Sequence, residues 1–307
     1  MNKDVIKLKL KKICPKAKKY EFYKNAIIYK DSSGKKHVIK ENNNNLSDLY
    51  NYLNSRGFGY IPKLEYIDKD IYIYQYISNT NTPLEQKMSD LIKIVALLHN
   101  KTVYYKETSI DEVKETYEKL LNEIEELYNY YDDIVTMIDS KVLMSPSEYM
   151  LARNCTMIFN CLNFCKIQLN DWYSLMENKT KKRVVLLHNN LGPNHLIRSD
   201  ENYIISWNKT KRDIPIYDFI NLYKKYYDQY DFSSLYKEYI KIFPLNKEET
   251  KLLFIILYLP PKIIFSKSEI NTTMEVSKLC SYLTITDKLF MENEAKYTEK
   301  QNNKIYE

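Results

Sequence analysis

LLHNNLGPNHLIRSDENYIISW, residues 186–207, is the stretch whose reading decides the fold. It interrupts a chain that otherwise carries a helical rhythm on both sides. RVVLL (183–187) and NYIISW (202–207) read as brief β-type runs, and between them lies a polar loop with two histidines, His188 and His195. RSDEN (198–202) reads as the tip of a hairpin, which turns Asp200 away from the loop.

Working outward, the chain changes character near residue 80. Upstream, Ala26 to Tyr29 and His37 to Lys40 form a hairpin signal around the turn segment Asp31-Ser32-Ser33-Gly34. NLSDLYNYLNSRGF then predicts a short helix with Leu46, Leu49 and Leu53 on one face and Gly57 as its stop, and YIPKLEYIDKDIYIYQYI predicts two more short strands. Downstream, helices are expected over 83–99, 110–138 and 147–170, the second buried along Leu120, Ile124, Leu127 and Ile134. Helices resume at Tyr217, and a polar tail from about 296 is expected to fray. Residues 1–80 therefore read as a β-rich lobe, 81–295 as a helical lobe with an insert at 183–218, and 296–307 as the tail.

Composition narrows the function classes. With 44% hydrophobic and 28% charged residues in 307, the chain can bury a large core as a soluble protein. No apolar run approaches the roughly 20 residues that span a bilayer. The opening MNKDVIKLKLKK lacks the pattern of a cleaved leader, so a cytoplasmic setting is expected. Five cysteines, an odd number without a C-x-x-C pair, read as reduced thiols rather than a disulfide frame or zinc site. Cys161 and Cys165 share a helix face and read as packed thiols. The net charge is +6, but residues 1–40 hold thirteen lysines against Asp4, Glu21 and Asp31, a local +10. No nucleic-acid partner is expected from this, since aromatics do not interleave with arginines in a recognisable module.

The quoted stretch resembles the catalytic segment of the aminoglycoside phosphotransferase and choline kinase group of kinase-like folds. That segment runs H-G-D-L-H-P-G-N and is followed, after a short hairpin, by I-D-W or I-D-F. Here the matching residues are His188-Asn189-Asn190-Leu191-Gly192-Pro193-Asn194-His195 and Ile205-Ser206-Trp207. Asp213-Ile214-Pro215-Ile216-Tyr217-Asp218 is similar to the group's G-D-P-x-Y-D, and VALLHNKT (95–102) to its L-A-x-L-H helix end. The resemblance implies a protein-kinase-like α+β fold with a small β-rich amino-terminal lobe and a mainly helical lobe after it. RDIPIYDF onward to LPPKI (212–263) and SPSEYMLARN (145–154) further resemble the bacterial spore-coat protein S group, which implies a coat setting and protein partners.

The same resemblance assigns roles and then withdraws chemistry from them. The proton-accepting Asp corresponds to Asn190, a neutral amide that cannot take a proton near pH 7. The two oxygen ligands of magnesium correspond to His195 and Ser206, and neither offers the anionic oxygen that Mg²⁺ favours. Lys40 matches the strand lysine that contacts nucleotide phosphates, with Asp48 as a poor stand-in for its acidic partner. The four glycines, at 34, 57, 59 and 192, form no phosphate-wrapping G-x-G-x-x-G loop. Positions with structural duties remain, Leu191, Pro193, Trp207, Asp213 and Asp218, and the resemblance places His188, Asn190, Asp213 and Asp218 at catalytic positions. Binding of ATP and magnesium is thus weakened, and a pseudokinase with a binding or assembly role is expected. The alternative is an active small-molecule phosphotransferase using a displaced acid such as Asp200 or Asp213. A transition-metal site built on His188 and His195 lacks a well-spaced third ligand.

Overall fold

The computed structural model describes residues 20–23, 26–42 and 46–303. Residues 1–19 of the lysine-rich stretch, and 304–307 of the expected tail, lie outside the described residues. Contacts group the chain into two units, 1–102 with 188–211 and 103–187 with 212–307. The loop segment and the helix before residue 102 thus group with the amino-terminal sheet, which the change of character at residue 80 does not anticipate.

The first unit is built on an antiparallel sheet of β1 (Tyr20–Tyr23), β2 (Ala26–Lys30), β3 (Lys36–Glu41), β4 (Leu64–Ile67) and β5 (Ile71–Gln75), in the order β1-β2-β3-β5-β4. Alternation drives one face inward: Ile27, Tyr29, Ile39, Ile71 and Ile73 form a cluster at most 3% exposed. The β2–β3 turn is closed by Asp31, whose Oδ1 accepts from Ser33 N at 2.8 Å and Lys35 N at 3.0 Å. Gly34 there has φ +87°, a left-handed conformation open to glycine. Helix α1 (Leu46–Ser55) buries Leu46, Tyr50 and Leu53. It stops at Gly57, whose carbonyl accepts from Lys101 Nζ. Helix α2 (Leu84–Thr102) buries Met88, Leu91, Ile92, Val95 and Leu98 at helical spacing and packs on the 188–198 segment.

The second unit is mainly helical. A small sheet of β6 (Tyr104–Glu107), β7 (Lys181–Leu187) and β10 (Lys211–Asp213), in the order β10-β7-β6, accompanies the helical hairpin α3 (Ile110–Asp139) and α4 (Pro146–Met176). Leu120, Ile124, Leu127 and Ile134 of α3 are buried, as their period predicts. Helix α4 starts at a capping box in which Ser145 Oγ and the Glu148 carboxylate satisfy each other's backbone donors, with Pro146 at the first helical position. Behind α4 lie α7 (Lys247–Tyr258) and α8 (Glu269–Asn303), preceded in the chain by α5 (Ile216–Tyr226) and α6 (Phe232–Ile242). Arg183 of β7 is fastened to α7 through Glu249, Nε to Oε1 at 2.9 Å, and to Pro244 O at 2.8 Å.

Helix α8 runs on through Asn303, into the expected polar tail. Strands β1, β6 and β10 were not foreseen; at three or four residues they are too short for alternation to register.

Candidate functional site

Strand β7 delivers the chain to His188, which is fully buried. Its Nε2–H donates to Ile205 O at 3.0 Å, and its ring meets Trp207 edge-on at 4.8 Å. Because a carbonyl can only accept, the proton must sit on Nε2. Seven residues on, the Nδ1–H of His195 donates to Asn190 O, while His195 N donates to Gly192 O at 2.9 Å. Ile205 N in turn donates to His195 O at 2.9 Å. Trp207, 2% exposed, gives its indole N–H to Ile204 O at 2.7 Å and stands edge-on to Phe58 at 6.0 Å. The His188 imidazole, its edge contact with Trp207 and the backbone bond from Ile205 N therefore join the 188–195 loop to the 205–207 turn, while the His195 ring closes the loop on itself. The hairpin between them, β8 (Leu196–Arg198) and β9 (Asn202–Ile204), carries Asp200 exposed in its turn.

Among the described residues, two that are not glycine have positive φ, Asn189 at 55° and Ser206 at 71°. Both lie in this site. Glycine tolerates that conformation freely, and Asn and Asp visit it more readily than other residues. In the resembling pattern these two places hold Gly and Asp. Asn189 keeps a residue suited to the turn; Ser206 holds a conformation that an aspartate would adopt at lower cost.

Lys40 lies on β3 opposite Tyr72 of β5, and its Nζ donates to Ser206 Oγ at 3.4 Å. That is a long, weak bond. Burial pulls the Lys40 pKa below the ordinary lysine value, and its Nζ stands 5.8 Å from the Tyr74 ring centre. The space left around the pair is a cavity of about 10 Å³, walled by Leu46, Tyr50, Pro62, Tyr72, Tyr74, Ile205 and Trp207. Tyr50, Tyr72 and Tyr74 are each no more than 7% exposed, and burial raises the pKa of all three. A space of this size is close to the minimum for one water. Asp48, on the first turn of α1, is exposed.

Magnesium-ATP does not fit this pocket. The loop and turn offer Asn190, His195 and Ser206 where the resembling pattern has Asp, Asn and Asp, and neither an imidazole nor a hydroxyl gives magnesium an anionic oxygen. Among the described residues, no three His, Cys, Asp or Glu side chains converge as a metal site.

The structure brings Lys40, His188, Asn190, His195 and Ser206 into one unit, whereas Asp213 and Asp218 belong to the other. Asp213 ends β10 and its Oδ1 accepts from Ile214 N at 2.8 Å. Asp218 is fully buried in the first turn of α5, where the helix dipole favours a carboxylate. Cys161 and Cys165 share a buried face of α4; burial pushes the Cys161 thiol up to about 12 and that of Cys165 higher, which leaves both unreactive. Sequence reasoning missed the three tyrosines around Lys40, because with thirty tyrosines in the chain none stands out. It also missed Arg198, which ties the hairpin to α2 through Asp90 at 3.1 Å and accepts at its carbonyl from Thr80 N at 2.7 Å.

This order of elements, with a stapled loop and turn beside a strand lysine, defines a protein-kinase-like α+β fold. Within that class, solved aminoglycoside phosphotransferases are similar to it in fold. An aminoglycoside phosphotransferase from Alicyclobacillus acidocaldarius subsp. acidocaldarius superimposes with a TM-score of 0.65 over 91% of this chain and 93% of its own, at 10% identity. Spectinomycin phosphotransferase in its AMP-bound complex does so with a TM-score of 0.51 over 94% and 97%, at 13% identity. At such identities the likeness is one of fold. No protein-family model and no curated protein matches the chain. Among the described residues, no helix is long and apolar enough to cross a membrane.

Proposed function

We propose that this chain is a catalytically silent kinase-like protein that acts by binding or assembly. The observation that carries the reading is the Lys40–Ser206 pair: an ammonium 3.4 Å from a hydroxyl, walled by tyrosines, where the resembling pattern has a carboxylate. Asn190 at the base position agrees with it, since general-base help worth on the order of 10²- to 10⁴-fold in rate is unavailable from an amide. The retained staples His188 and Trp207 agree as well, because they hold shape rather than substrate. Protein partners, and a spore-coat setting in particular, rest on the sequence resemblance of 145–154 and 212–263.

The test is direct. ATP consumption with magnesium or manganese is measured against a pool of hydroxyl acceptors, alongside nucleotide-induced thermal shift. Neither turnover nor shift is expected. Turnover that disappears in Asp200→Ala or Asp213→Ala, with folding intact, would overturn the proposal in favour of a phosphotransferase with a displaced acid.

A further inference from the structure

Large apolar side chains gather at one corner of the second unit, where α3 turns into α4 and the connection from α7 reaches α8. Val142 and Leu143 of the α3–α4 turn are 99% and 85% exposed, and Met144 beside them is exposed as well. Ile264 and Phe265 of the connection and Ile270 at the start of α8 complete the group, the two isoleucines each 73% exposed. Hydrogen bonds bring the three segments together. Tyr131 Oη donates to Pro261 O at 2.5 Å and Tyr130 Oη to Ile263 O at 3.0 Å, which lays the connection against α3. Ser147 N donates to Glu269 Oε1 at 2.6 Å, which fixes the far end of the connection to the start of α4. Residues 264–270 therefore run from the side of α3 to the foot of α4, beside the turn.

The corner is ordered by its own bonds. Ser140 Oγ donates to Met137 O at 2.7 Å and Lys141 N to Ile138 O at 3.1 Å, while Lys141 pairs with Glu148 of the capping box. Ser266 N donates to Thr272 Oγ1 at 3.1 Å. A surface so fixed loses little entropy on association. Its six side chains expose on the order of 700 Å², more than the roughly 300–600 Å² of the largest patch on a typical monomer. That approaches the roughly 800 Å² that each partner gives to a stable interface. The bordering charges balance, Lys141, Lys262 and Lys267 against Asp139, Glu148 and Glu269. An anionic membrane or nucleic acid calls for an excess of cations around the apolar residues, and this rim has none. A second copy brings the same apolar centre and the same balanced rim, so two such corners meet without net repulsion across a self-complementary two-fold contact.

We propose that this corner joins two copies of the chain about a two-fold axis, apolar centre on apolar centre. The contact uses none of the residues varied in the nucleotide experiments, so it holds or fails independently of them. Sedimentation velocity of the full chain at micromolar concentration is expected to show a dimer, twice the 36.9 kDa of one copy. Val142→Asp with Leu143→Asp sets charges at the centre and should raise the dissociation constant at least about a hundredfold. Ile270→Asp, on a different segment, should raise it at least about tenfold. Circular dichroism should not change in either variant, because these side chains are exposed in the single copy. A chain that remains monomeric at high micromolar concentration would overturn the proposal, as would a dimer that both folded variants leave intact. A monomer that binds phosphatidylserine vesicles, and loses them in the same variants, would overturn it by giving the corner to a lipid surface.

Discussion

Lys40 Nζ and Ser206 Oγ, 166 positions apart in the chain, meet at 3.4 Å inside the amino-terminal unit. A hydroxyl supplies a dipole where a kinase-like site would supply a carboxylate, so the ammonium bears a desolvation cost without a charge to offset it.

That arrangement makes Lys40 replaceable. Burial lowers its pKa, so the folded state disfavours the charged form; stability should rise with pH between the depressed value and the ordinary one near 10.4. Lys40→Met is expected to leave the melting temperature unchanged or raise it by about 1 to 4 °C at pH 7. The gain should shrink at pH 10. A fall of several degrees at pH 7 would show that the ammonium makes net favourable contacts.

Ser206→Asp should stabilise through two routes, a backbone conformation better suited to aspartate and an ion pair with Lys40. A coupling of roughly 1 kcal/mol is expected in a double-mutant cycle with Lys40→Met, read from urea denaturation midpoints. An equal effect of Ser206→Asp in both backgrounds would remove the ion-pair part of this account.

His188 is a structural staple, so its loss should appear in stability. His188→Ala removes the bond to Ile205 O and the edge contact with Trp207 in a fully buried site. About 2 to 4 kcal/mol of destabilisation is expected by chemical denaturation. A cost below about 0.5 kcal/mol would mean that the loop is held by other groups.

The β2–β3 turn predicts an acid response. The Ser33 hydroxyl, against a smaller opposing desolvation and with help from His37 and the backbone amides of Lys35 and Ser33, lowers the Asp31 pKa to about 2. A depressed carboxylate contributes stability above its ordinary value near 3.9, and the contribution is lost as pH falls through about 2. The amide resonances of Ser33 and Lys35 should therefore titrate near pH 2, and Asp31→Asn should abolish the transition. A midpoint near 4 would show that the turn does not hold the carboxylate.

Much of the fold was legible because its signals are local. The period of Leu120, Ile124, Leu127 and Ile134, the Ser145-Pro146 start of α4 and the Asp31–Gly34 turn each follow from residues a few positions apart. The loop was legible for a different reason: His188, Leu191, Pro193 and Trp207 keep a spacing that the staples require. What could not be read was long-range. The closing of Tyr50, Tyr72 and Tyr74 around Lys40 depends on a helix and two strands meeting, and no short window of sequence contains that meeting. The strands β6 and β10 exist because β7 lies between them.

The staples have a consequence for regulation. A loop ordered by His188, His195 and Trp207 draws its shape from its own side chains, so its ordered form is as abundant as the protein itself. A partner that reads this surface would meet it ready-made, and its association would be indifferent to the supply of nucleotide or magnesium. Abundance of the chain would then set the signal.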